Sequence, residues 1–129
     1  MPGLAEFAVY FGMGLGFMAV YLVLYLYATP HREITLIRGD NLPAAVVLAG
    51  ALLGFALPLA SALRVANGLL DVAAWAFMAL VAQPAASVLV ALLLKDFSKR
   101  INRGEMAAAV LAGSIHLGVG LINSAAMSF

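Results

Sequence analysis

Ala5-Glu6-Phe7-Ala8-Val9-Tyr10-Phe11-Gly12-Met13-Gly14-Leu15-Gly16-Phe17-Met18-Ala19-Val20-Tyr21-Leu22-Val23-Leu24-Tyr25-Leu26-Tyr27-Ala28 is apolar throughout, apart from Glu6 near its start. As a helix, about 24 residues at about 1.5 Å each reach about 36 Å, enough to cross a hydrocarbon layer of about 30 Å. The run exceeds the roughly 7–15 residues of a signal-peptide apolar segment and lacks a basic stretch before it, so it reads as a retained helix. Three more runs follow, at about Pro43–Leu63, Val72–Leu94 and Met106–Met127, each about 21 to 23 residues and again of spanning length.

Composition agrees. Of 129 residues, 65% are hydrophobic and 10% charged, with mean hydropathy +1.07. Soluble domains carry about 25% charged residues, and one of this make-up would expose large apolar patches. Four spans and three short connections nearly fill the chain, predicting an all-α integral membrane protein with a single membrane domain over residues 1–129. Seven basic against six acidic residues give a net charge of +1, too balanced to attract nucleic acid. With no cysteine there is no disulfide, thiolate metal site or thiol nucleophile.

Charge placement orients the spans. Arg32 and Arg38 lie in the first connection and Lys95, Lys99, Arg100 and Arg103 in the third, while the second holds only Arg64. The positive-inside bias puts the first and third connections in the cytoplasm and both termini outside, which is periplasmic in a bacterial inner membrane. Tyr10 near the outer end, and Tyr21, Tyr25 and Tyr27 near the inner end, are expected in the headgroup regions.

The two halves read alike, as tandem two-helix repeats over about 5–63 and 72–127. Ala45-Val46-Val47-Leu48-Ala49-Gly50 aligns with Ala108-Ala109-Val110-Leu111-Ala112-Gly113, and Ser61-Ala62 with Ser124-Ala125, at one offset; an offset one residue longer aligns Gly54 with Gly118 instead. Each half returns to its starting side, so the repeats would be parallel.

At about 100° per residue, Ala109, Gly113, His116, Gly120 and Asn123 form one stripe of the last span. A second, narrower face carries Ala107, Ser114, Gly118 and Ala125. Gly12-x-x-x-Gly16 and Gly50-x-x-x-Gly54, with Ser61 beyond, have the spacing that lets helix backbones approach within a chain or between copies. Gln83 and His116 lie near mid-span. The expectation is a neutral histidine hydrogen-bonded to Gln83 or a backbone carbonyl; the sharper alternative is a proton or solute path. Pro58 and Pro84 each remove a backbone donor and are expected to kink their helices. Glu6 and Arg64, near the outer ends of their spans, are placed to pair or to snorkel.

Catalytic constellations are absent from the pattern. Ser114 and His116, two apart on one helix, face nearly opposite ways and cannot form a hydrolase pair. Gly12-x-Gly14-x-Gly16 lies inside an apolar helix, not at a strand-to-helix turn. His31 and His116, the two histidines, fall in different compartments, so no His-based metal cluster is expected and no cofactor is implied. In the first connection, Asn41 before Pro43 is placed to cap the second span. The basic residues of the third set topology or hold anionic headgroups of membrane lipids.

Thr29-Pro30-His31-Arg32-Glu33, Ile37, Asn41-x-x-Ala44-Ala45, Gly50-x-x-x-Gly54, Pro58 and Ser61, then Ile101-Asn102, Ala107-Ala108 and Asn123-Ser124-Ala125, resemble a known family over essentially the whole chain. It is similar to the YjfL-like inner-membrane proteins, called domain of unknown function 350 or UPF0719. The resemblance implies a bacterial inner-membrane protein of two tandem two-helix units with no settled activity. It also implies a membrane partner in an envelope system, since relatives are often encoded beside envelope-stress and ATP-grasp ligase-like proteins. Ala125-Ala126-Met127 stands where some relatives would have a cysteine, so no role passes over from that thiol. The expected function is a non-enzymatic, homo-oligomeric module, dimer or higher, that anchors or assembles cytoplasmic or membrane partners. The alternative is a channel or transporter near Gln83 and His116, assembled from several copies because four helices enclose little volume.

Overall fold

The computed structural model describes residues 3–29 and 33–127, all of whose regular structure is helical. In chain order the helices are α1 (Leu4–Ala28), α2 (Glu33–Arg38), α3 (Leu42–Val65), α4 (Leu69–Ala82), α5 (Ala85–Leu93), α6 (Phe97–Asn102) and α7 (Met106–Ala126). Four spans are long and apolar enough to cross a membrane: α1, α3, α4 continued by α5, and α7. His31 and Arg32 lie outside the described residues.

Local chemistry sets the boundaries. Asn41 caps α3 by accepting from the Ala44 amide at 2.9 Å, and Pro43 in the first turn loses nothing by lacking a donor there. Thr29 ends α1 by turning both its amide and its hydroxyl onto the Tyr25 carbonyl. Pro84 cannot donate to the carbonyl four residues earlier, and the third span breaks there into α4 and α5. Helix α3 runs through Pro58 unbroken, so the two prolines act differently. The basic connections, expected as plain loops, contain α2 and α6, short helices that each lead into a turn with one positive-φ residue, Asp40 or Gly104.

The centre of the molecule is the pair α3 and α7. They run parallel: Asn41 before α3 reaches Ile101 before α7, and Ser61 late in α3 meets Ser124 late in α7. Alanines of both helices, Val47 and Phe55 are buried in the core around this pair. Lipid solvates apolar side chains as well as protein does, so helix association rests on close packing and interhelical hydrogen bonds. Glycine supplies the first. A Cβ at Gly50 would lie 2.5 Å from the Gly113 Cα, and one at Gly120 would overlap the Gly54 backbone.

Helix α4 packs on α3 and α5 on α7, whereas α1 leans on α3 through Tyr21 and reaches His116 of α7 through Tyr25. Tyr21 stacks on Phe55 with centroids 4.4 Å apart, and Tyr25 follows one turn later. Both are buried. This corrects the expectation that they lie among headgroups: their i, i+4 spacing turns them inward together. Tyr27, 87% exposed, points out.

Candidate functional site

The break at Pro84 leaves Gln83 at the end of α4, fully buried and aimed at α7. Its Nε2 donates to the His116 backbone carbonyl at 3.0 Å. Asn123 Nδ2, two turns further along α7, donates to Gln83 Oε1 at 3.4 Å and to the Ala79 carbonyl at 3.3 Å. Gln83 thus bridges the two helices through amide groups. The expected partnership of Gln83 and His116 therefore exists through the histidine's backbone, not its imidazole.

The ring is occupied otherwise. His116 is 3% exposed and meets Tyr25 edge to face, with centroids 5.6 Å apart. Its Nδ1 is buried without a hydrogen-bond partner among the described residues. Ser114 donates to the Val110 carbonyl of its own helix at 2.8 Å, away from this ring.

Toward the basic end, the Tyr25 hydroxyl donates to Glu33 Oε1 at 3.0 Å. Glu33, in the first connection, is 1% exposed, so the start of α2 is drawn against α1. Asn41 Nδ2 donates to the Ile101 carbonyl at 3.1 Å and ties the two basic connections together. Arg100 and Arg103 close on Glu105 at 2.9 and 2.6 Å. The hydrogen bonds from Arg100 and Arg103 hold the Glu105 carboxyl below the usual carboxylate range. Lys95 and Lys99 are exposed without a carboxylate partner among the described residues, and Arg38 is exposed in the last turn of α2.

At the opposite end, Ser61 pairs with Ser124 and accepts from Arg64 Nη2 at 3.2 Å. Arg64 thus turns to Ser61, whereas Glu6 borders a shallow pocket beside Tyr10 and Leu69. The glycines divide into two sets. Gly50, Gly54, Gly113 and Gly120 lie in the α3–α7 seam, while a Cβ at Gly12, Gly16 or Gly118 would meet nothing within 4 Å.

Sequence reasoning missed the Tyr25–Glu33 bond and the tyrosine–histidine contact; the i, i+4 tyrosine pair was the available signal. Among the described residues no three His, Asp or Glu side chains gather as a metal site.

Parallel apolar helices in glycine contact, bridged by Gln83, Asn123 and the Ser61–Ser124 pair, define a helical membrane protein. The chain matches Domain of Unknown Function (DUF350) over residues 1–127 and belongs to that family. It is 33% identical over 129 residues to the UPF0719 inner membrane protein YjfL of Escherichia coli (strain K12), covering 100% of this chain and 98% of the relative. The protein of the same name from Escherichia coli O157:H7 matches equally. No solved structure matches. The chain is an inner-membrane protein of a family whose function is unknown.

Proposed function

We propose that the chain is a non-enzymatic, oligomeric membrane module of one domain that anchors or assembles partners, in keeping with the envelope-related setting the family resemblance implies. The observation that carries this reading is the state of α1. Of its 25 residues only Tyr21 and Tyr25 are buried, and its Gly12 and Gly16 face open space. Small residues on a helix in lipid favour the approach of another helix, and α7 offers a second such face at Ala107, Ser114 and Gly118. Gln83, Asn123, Ser61 and Ser124 meanwhile hold helices together, which supports a packing role for these polar groups.

The family's two-unit organisation enters this reading as parallel repeats. Its support is that Ser61 and Ser124, 63 residues apart, meet across the parallel pair, and that each basic connection contains a six-residue helix. Orientation rests on the basic residues, which favour a cytoplasmic location for α2 and α6 and periplasmic termini.

Because the chain has no native cysteine, single substitutions report on assembly directly. Gly16→Cys and Gly118→Cys should give disulfide-linked dimers in membranes on mild oxidation, while Ala51→Cys, buried in the core, should not. Monomers throughout would refute the oligomeric reading. The buried imidazole Nδ1 of His116 favours a second reading, a small-solute or ion path past Gln83 and His116. That reading requires flux into liposomes that changes with His116→Leu while assembly persists.

A further inference from the structure

Tyr21 holds helix α1 to Phe55 of α3 and Tyr25 meets His116 of α7, while α5, beyond the Pro84 break, also packs on α7. Between α1 and the α4–α5 break lies a groove. Tyr21, Leu24, Tyr25 and Ala28 form one wall, Pro84 and Ser87 the other, around a cavity of about 320 Å³. A second cavity of about 250 Å³ shares Tyr25, Ala28 and Ser87 and continues past Thr29 and Ala91 to Phe97.

The dimensions fit a lipid tail. From Tyr21 to Thr29 the groove follows α1 for about 12 Å, close to the roughly 15 Å of one leaflet's hydrocarbon. Apolar side chains line its deep part. Its shallow end adds Thr29 to Ser87, which lines both cavities, and opens beside Phe97 at the start of α6. Lys95 and Lys99 flank Phe97 in the chain and are exposed, without carboxylate partners among the described residues. Asp96 lies between them and leaves the stretch net positive. Arg100 and Arg103 are already engaged by Glu105.

We propose that this groove binds an anionic glycerophospholipid, one acyl chain lying between α1 and the α4–α5 break and the phosphate at Lys95 and Lys99. The apolar walls give the tail more contact than a flat helix face would, and the two ammonium groups select the headgroup. The site is distinct from the Gly12 and Gly16 face and does not depend on the oligomeric reading.

The test is native mass spectrometry of the full chain in mild detergent, with phosphatidylglycerol or phosphatidylcholine carrying identical acyl chains. Wild type should retain phosphatidylglycerol at about tenfold lower lipid concentration. Lys95→Gln with Lys99→Gln should bring the two lipids to parity, and Ala28→Leu with Ser87→Leu should reduce retention of both. On the unsubstituted protein, phosphatidylglycerol bearing a photoreactive acyl chain should label residues 21–29 and 80–97. Equal retention of the two lipids by wild type would overturn the proposal. So would labelling spread evenly over the outward faces at Phe7, Phe11 and Ile122, or photo-cross-links from groove residues to a second copy.

Discussion

The carbonyl of Gly54 lies against Gly120 of the neighbouring helix, and Pro58, four residues on, has no amide hydrogen to offer that carbonyl. A proline inside α3 and a glycine on α7 are therefore parts of one contact: the first frees an acceptor, the second lets a Cα approach it. Such Cα–H···O contacts recur at close helix interfaces and contribute about 0.5–1 kcal/mol each.

Gly120→Ala should therefore destabilise strongly, because its methyl would overlap the Gly54 backbone and backbone cannot turn aside as a side chain can. Overpacking of this kind costs about 1–3 kcal/mol. Gly118→Ala, two residues away in open space, should be neutral or stabilising by up to about 1 kcal/mol through helix propensity. Thermal unfolding in one detergent compares the two; equal losses would contradict the α3–α7 seam.

Tyr25→Phe should also weaken the fold, although it removes a single oxygen. The Tyr25 hydroxyl donates to a carboxylate that is 1% exposed, and removing a partner from a buried acceptor costs about 1–3 kcal/mol. Combined with Glu33→Ala, which removes the acceptor, the loss should be clearly less than the sum of the two single losses, since both act on one bond. Unfolding of the four proteins in this cycle measures the coupling, and strict additivity would show that the bond contributes nothing.

The spans were legible in sequence because hydropathy and length are properties of whole segments. Asn41 was legible as a cap because its signal is local, an Asx residue just ahead of a proline at a helix start. Of the α7 stripe set by helical periodicity, Ala109, Gly113, His116 and Gly120 are buried and Asn123 is half-buried. Less could be read where two rules compete. Tyr21 and Tyr25 satisfy both an interfacial belt and an inward i, i+4 pair, and tertiary packing on Phe55 decides between them. The partner of Gln83 is a backbone carbonyl, which every residue possesses, so no side-chain pattern marks it. Helices α2 and α6 span under two turns each, too short for periodicity to register.

Acid should loosen the α6–α7 turn. Arg100 and Arg103 hold the Glu105 pKa below its ordinary value of 4.5, so their contribution is present above that value and is lost as pH falls through the depressed one. Exposure to water makes the effect small and salt-sensitive. Hydrogen exchange at the Arg103 and Gly104 amides should accelerate, relative to the intrinsic rate at each pH, below pH 4.5 in wild type. Glu105→Gln should already show the faster relative rate at neutral pH and little further change on acidification. A wild-type profile matching that of the variant would rule out the Glu105 clamp.

His116→Leu and Gln83→Leu should separate, although the two residues adjoin. The Gln83 amide bonds to the His116 carbonyl, which leucine at position 116 retains, and the imidazole Nδ1 has no partner among the described residues to lose. His116→Leu gives up the edge-to-face contact with Tyr25, worth about 0.5–1.5 kcal/mol, and regains part of it through apolar packing, so its net loss should stay below about 1 kcal/mol. Gln83→Leu removes the donor to that carbonyl and the acceptor for Asn123 together. It should cost about 1–3 kcal/mol, because Asn123 and the carbonyl then compete for partners in a water-poor interior. Melting temperatures of the two variants in a common detergent check the order. If His116→Leu proved the more damaging, the imidazole would have to hold a bond of its own, and the ring rather than the amide bridge would join α7 to its neighbours.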